Sequence, residues 1–161
     1  MPIDPPSIGT KVAGLITIVL ETKAMTFSIQ SIAPRATLPL RQKVLWPDHP
    51  IEQSIVEGDE QASHFGGFID GDLVCVASLF KEAPGIRLRK FATDPTFQGK
   101  GFGTQMLDHL LTEATATGAK TFWFDARESA LPFYEGNGYT PEGERFFKGD
   151  VPYRRITRAL G

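Results

Sequence analysis

The chain has 161 residues, with 17 lysines and arginines against 19 aspartates and glutamates and a formal net charge of −2. That length suits one domain with a self-sufficient core, and so even a charge balance offers no basic field for gripping nucleic acid. The single cysteine excludes an internal disulfide, the histidines at 49, 64 and 109 give no zinc-binding spacing, and no apolar run is long enough to span a membrane. A reduced, cytoplasmic setting is the expectation.

Residues 1–24 carry Pro2, Pro5 and Pro6 and then an apolar run, Val12 to Leu20, behind Lys11. The run imitates a short signal segment, yet Glu21-Thr22-Lys23 follows where small residues for cleavage belong. Residues 1–24 are expected to be an extension, whether a leader or a covering strand, and residues 25–161 the domain proper. Phe27 to Ile32 alternates apolar and polar residues and predicts a first strand, and Leu38 to Leu45 a short helix broken by Pro47. Strands follow at Glu60 to Ile69 and Asp72 to Phe80, joined by the hairpin signal Asp70-Gly71. The second of these buries Cys75 in Leu73-Val74-Cys75-Val76-Ala77, which reads as an inert thiol.

Arg87 to Thr93 predicts a fourth strand, closed by Asp94-Pro95. Met106, Leu107, Leu110, Leu111 and Ala114 recur at helical spacing, so Gly103 to Thr117 reads as a long helix stopped by Gly118. Thr121 to Ala126 is a fifth, buried strand. Ser129 is expected to cap a helix running to Glu135 or Gly136, with Gly138 as its stop. Phe146 to Phe147 and Tyr153 to Thr157 close the pattern as a strand pair. The class is α+β.

Between the fourth strand and the long helix lies Gln98-Gly99-Lys100-Gly101-Phe102-Gly103. Glycines so close together let the backbone curl and aim several N–H groups at one point, next to the unpaired N–H groups of a helix start. Such a turn suits a phosphate or pyrophosphate. A Walker loop needs Gly-Lys followed by Ser or Thr, but Gly101 follows Gly99-Lys100. A dinucleotide fingerprint needs a third glycine where Thr104 stands. Asp125, about 20 residues on, imitates its ribose-binding acid, but too little chain follows to complete a doubly wound sheet.

The loop resembles the coenzyme A signature of the GNAT superfamily of N-acetyltransferases, Gln/Arg-x-x-Gly-x-Gly/Ala, through Gln98, Gly101 and Gly103. A second family element is similar to Asp125-Ala126-Arg127, Ala130, Phe133-Tyr134 and Gly138-Tyr139, in the same order and at the same distance from the loop. The resemblance covers residues 27–160. It implies a GNAT fold: a mixed, mostly antiparallel central sheet of about six to seven strands, flanked by helices and splayed between the fourth and fifth strands. It implies acetyl-CoA as co-substrate, no metal, and direct transfer of the acetyl group to a primary amine through a tetrahedral intermediate.

By that resemblance the coenzyme would be bound by Phe91, Ala92 and Thr93 on the fourth strand, by Gln98, Gly99, Lys100, Gly101, Phe102, Gly103 and Thr104, and by Ser129 and Phe133. Tyr134 would be the general acid that protonates the leaving thiolate. Arg41, Glu82, Arg89 and Asp125 are candidates for the acceptor side, and Arg87, Tyr153, Arg154 and Arg155 lie near it. For a general base the residues offer Glu82, Asp125, His64 and His49 without choosing among them. The acceptor is expected to be the amine of a small metabolite or amino-acid-like compound. A protein N-terminus or lysine, and a non-catalytic acyl-CoA-binding module, are the alternatives. Closing strands at an open sheet edge suggest a possible homodimer.

Overall fold

The computed structural model describes residues 26–161, so the expectations for residues 1–24 lie outside the described residues. Seven strands form one sheet in the order β1-β2-β3-β4-β5-β7-β6. They are β1 (Phe27–Ser31), β2 (Ser63–Ile69), β3 (Asp72–Glu82), β4 (Gly85–Thr93), β5 (Thr121–Arg127), β6 (Pro141–Lys148) and β7 (Val151–Ala159). Every neighbouring pair is antiparallel except β4–β5. Most expected strands appear, several longer than the alternation alone marks; β2 starts later than Glu60 because Asp59–Gln61 is a 3-10 turn. Asp70 and Gly71 both take positive φ, as the two-residue hairpin requires.

One face of the sheet carries the long helix α2 (Phe102–Ala116) and the short helix α3 (Leu131–Gly136). Met106, Leu107, Leu110 and Ala114 of α2 are fully buried with Leu88, Phe122, Phe124 and Ile156 of the sheet. Truncating one such leucine to alanine costs about 2–5 kcal/mol, so this layer is the main source of stability. The opposite face carries α1, an α-helical turn Leu38–Leu40 that runs on as a π-helical segment Arg41–Leu45. There Leu40 packs on Val76 and Ala92 in a smaller cluster.

The fold's consequential irregularity is at β4. Its parallel pairing with β5 covers only Ile86↔Phe122 and Arg87↔Trp123. The strands are pinned at that end by close approach: a Cβ on Gly85 would run into the Thr121 carbonyl oxygen. Beyond Arg87 they diverge. On its other side β4 slips register against β3 between Val76 and Ser78, where Lys90 takes φ 56°. A bulge of this kind bends the strand and re-aims its side chains, which here turns the end of β4 away from β5.

Candidate active site

Divergence leaves the edges of β4 after Arg87 and of β5 after Trp123 unpaired with each other, and between them lies a cleft of about 160 Å³. Buried backbone groups at such an edge seek partners, so an extended ligand can complete the broken ladder. Phe91 lines the cleft from β4; Ala92 and Thr93 continue the same free edge. Tyr134 lines it from α3.

The glycine-rich loop hangs from the end of β4. Asp94 caps the turn by accepting a hydrogen bond from the Thr96 N–H at 2.9 Å, and Lys43 sits 2.8 Å from the same carboxylate. The Gln98 side-chain amide donates to the Thr93 carbonyl at 2.9 Å, tying the loop back to the strand it leaves. Gly99 and Gly101 have φ of 75° and 88°, with open space where a side chain would stand. Gly101 is the N-cap of α2, which starts at Phe102, one residue before the sequence expectation. Lys100 is exposed and Thr104 half-buried in the first turn. The Phe102 side chain stacks on Phe27 at 4.8 Å and belongs to the core, so what it can offer a ligand is its N–H. Gly103 is needed for packing: a Cβ there would stand 3.3 Å from the Phe133 ring.

Ser129 does not cap the second helix. Residues Glu128–Ala130 form a 3-10 turn, the N-cap of α3 is Ala130, and no side-chain cap bond is made. Pro132 in the first turn has no N–H to satisfy, which removes one of the groups a cap would serve. Tyr134 is 8% exposed, its ring 4.7 Å from Phe124 and 5.1 Å from Phe133. Burial pushes its hydroxyl well above the usual tyrosine range, with smaller contributions from Tyr139 and Cys75. Tyr134 therefore stays protonated at pH 7, and its hydroxyl makes no hydrogen bond among the described residues. Phe133 meets Phe91 edge-on at 6.0 Å and joins α3 to the end of β4.

The other end of the cleft, on the α1 face, is charged. Asp125 is clamped there by the Arg155 Nε at 2.7 Å, the Arg87 Nη2 at 3.1 Å and the Lys148 Nζ at 3.4 Å. Burial works to raise its pKa, but the bond from Arg155 and the charges of Lys148, Arg155 and Arg87 outweigh it and hold the carboxyl below its ordinary value. So restrained a carboxylate is a weak base. Glu82 is paired with Arg87 at 2.9 Å and stands at the pinned end of β4, outside the cleft lining. Arg89 lines the cleft, its guanidinium 5.5 Å over the Phe80 ring.

The profile of the acetyltransferase (GNAT) family matches residues 27–139. The chain belongs to that family. It is 29% identical over 133 residues to the uncharacterized N-acetyltransferase YitI of Bacillus subtilis, covering 77% of this chain and 87% of that protein. Over 55 residues it is 38% identical to the ribosomal protein bS18-alanine N-acetyltransferase of Salmonella typhimurium, covering 32% of this chain and 37% of that one. Its fold matches a Bacillus subtilis acetyltransferase in complex with CoA at a TM-score of 0.65 and 19% identity, over 85% of this chain and 99% of that one. It is thus an acyltransferase of the GNAT type, and its splayed, open sheet is that family's fold.

Within this GNAT domain several sequence candidates lie apart from the cleft. Arg41 neither faces an acceptor nor points to solvent: it is completely buried, paired with Asp59 at 2.7 and 3.0 Å, and bonded to the Ser54 carbonyl and the Ser78 hydroxyl at 3.0 Å each. His64 belongs to the same network, through the Ser78 hydroxyl at 2.6 Å and the Asp59 carbonyl at 2.7 Å. His49 is exposed beside Gln53. Cys75 is completely buried, and desolvation pushes its thiol up to about 11, so it is inert. Arg154 is absent from the cleft lining, whereas Tyr153 is part of it. Sequence reasoning missed Lys90, Arg127, Lys148 and Trp46 as cleft residues. Arg127 was visible inside the Asp-Ala-Arg element; nothing in the alternation of β4 signalled the bulge that carries Lys90.

Proposed function

We propose that the protein transfers the acetyl group of acetyl-CoA to the primary amine of a small metabolite or amino-acid-like acceptor. The observation that supports it best is the cleft itself, which joins a buried tyrosine on the α2 face to a polar mouth on the α1 face, with the glycine loop following the strand β4 that forms one of its walls. The residues present fit the coenzyme: two left-handed glycines with open space around them precede a helix N-terminus, and a free strand edge leads away from it.

When bound, acetyl-CoA supplies the thioester that is attacked. The N–H groups from Gly99 to Gly103 bind its pyrophosphate, and the free edge at Phe91, Ala92 and Thr93 pairs with the pantetheine arm. A backbone N–H among Phe91, Ala92 and Thr93 stabilises the developing oxyanion, a contribution of about 3 kcal/mol in comparable sites. Tyr134 gives its proton to the departing thiolate. A thiolate needs less help than an amine to leave, so this acid accelerates the reaction without being indispensable.

The incoming amine must be neutral. Lys90, in the same cleft, shows how the chain favours that state: burial first, and then Arg89, Arg41, Lys148 and Arg127, push its ammonium down to about 8. The like charges of this field also favour the neutral form of an amine that enters it.

The 55-residue similarity to an enzyme named for ribosomal protein alanine supports one rival, acetylation of a protein N-terminus. Thiol release from acetyl-CoA, measured with free amines and with peptides of alanine N-terminus, separates the two. Turnover with free amines is expected; turnover with peptides alone would replace this reading by the rival.

A further inference from the structure

The cleft wall is far more basic than the chain. It carries Arg87, Arg89, Lys90, Arg127 and Lys148 against the single carboxylate of Asp125, in a protein whose formal net charge is −2. Arg87 and Lys148 both pair with Asp125, as does Arg155 from outside the lining, and Arg87 also meets Glu82. Arg89, Lys90 and Arg127 have no carboxylate within salt-bridge distance among the described residues. Arg127 is nevertheless held in place: its Nε donates to the Tyr153 hydroxyl at 3.3 Å, its Nη2 to the Leu45 carbonyl at 3.1 Å, and its guanidinium lies 4.9 Å over the Trp46 ring. That arrangement fixes the guanidinium in the cleft wall and leaves its Nη1 without a protein partner. Half-buried cations without counter-charge are costly, and they persist where a ligand supplies the missing anion.

Resting on the reading that this cleft acetylates a free amine, we infer that the acceptor is an anionic amine, whose carboxylate or phosphate group is bound by Arg89, Lys90 and Arg127. The coenzyme's own phosphates are not that anion. Ser78, the cross-strand partner of Arg89, accepts from Arg41 on the α1 face, and Arg127 is tied to the end of α1. Gly103, at the end of the glycine loop, packs instead against Phe133 on the α2 face. Arg89 and Arg127 therefore lie across the sheet from Gly103. Cationic N–H donors of this kind suit both a carboxylate and a phosphate, and the same field repels polyamines. In the reaction the acceptor nitrogen bonds to the acetyl carbonyl carbon, the carbon–sulfur bond breaks, and the thiolate takes a proton. The products are an N-acetylated anion and coenzyme A.

The test measures thiol release from acetyl-CoA with four probes: L-glutamate, phosphoethanolamine, L-alaninamide and spermidine. One or both anionic amines are expected to exceed L-alaninamide and spermidine in kcat/KM by about tenfold or more, and which of them leads identifies carboxylate or phosphate. Lys90→Met and Arg89→Gln should each raise the KM of the preferred anion by about tenfold while coenzyme A affinity by calorimetry stays within twofold. Raising salt from 50 to about 500 mM should raise the same KM, because screening weakens the field. Preference for spermidine or L-alaninamide, or a KM indifferent to both substitutions, overturns the inference and leaves the acetyl-transfer reading standing. Absence of both coenzyme A binding and thiol release with every probe overturns the reading itself.

Discussion

Lys90 shows how one residue can serve a site at a cost to the fold. Its ammonium is pushed down to about 8 from an ordinary 10.5, so between those values the unfolded chain binds more protons than the folded one. The folded state is thus penalised below about pH 8, and the penalty disappears as pH rises toward 10.5. Lys90→Met keeps the length and removes the charge. It is predicted to raise the melting temperature at pH 7 and to lose that advantage by about pH 10.5. Thermal melts across pH check this; equal melting temperatures at pH 7 would mean that the Lys90 charge is well solvated. Asp125 is the opposite case. Its carboxyl is held low by three cations, and it fixes the side chains of Arg87, Lys148 and Arg155 instead of taking protons.

At the scale of elements, the loop and α1 separate binding from stability. Gly101→Ala has room for its methyl group but must keep φ near 88°, a strain of about 1–2 kcal/mol. The substitution should weaken coenzyme A binding by about tenfold, because the backbone N–H groups lose their aim. Gly103→Val is predicted to act differently, by displacing the Phe133 ring and lowering the melting temperature. Calorimetry and thermal melts distinguish the two, and similar profiles would contradict the division of labour. Asp59→Ala strands the Arg41 charge in the interior and should cost about 3–5 kcal/mol without altering coenzyme A affinity. Sequence and structure part company at the same two elements. The loop was legible because glycine spacing, a strand before it and a helix after it form a local pattern. The destination of Arg41 was not, since its partners Asp59 and Ser78 lie far along the chain and only tertiary packing brings them together. Ser129 misled because a capping residue type precedes a helix whose first turn contains proline.

Over the whole molecule, an ordinary open sheet becomes a two-sided tool because one parallel pairing is broken after two residue pairs. The α2 face carries the large core; the α1 face carries the basic mouth. No helix among the described residues is long and apolar enough to cross a membrane. At the sheet's edge, β6 slips register against β7 between Glu142 and Phe146 and is strongly charged, features that blunt strand pairing. The homodimer expected from the sequence would therefore rest on Phe147, 58% exposed there, more than on a free ladder. Tyr134 lines the cleft from the α2 face, and the proposed transfer turns on its hydroxyl. The decisive measurement is the single-turnover rate of thiol release by Tyr134→Phe at saturating acetyl-CoA and acceptor, beside its calorimetric affinity for coenzyme A. A rate about ten- to a thousandfold below that of the unaltered protein is expected, with affinity unchanged; an undiminished rate would remove Tyr134 from the chemistry and leave it as a core aromatic.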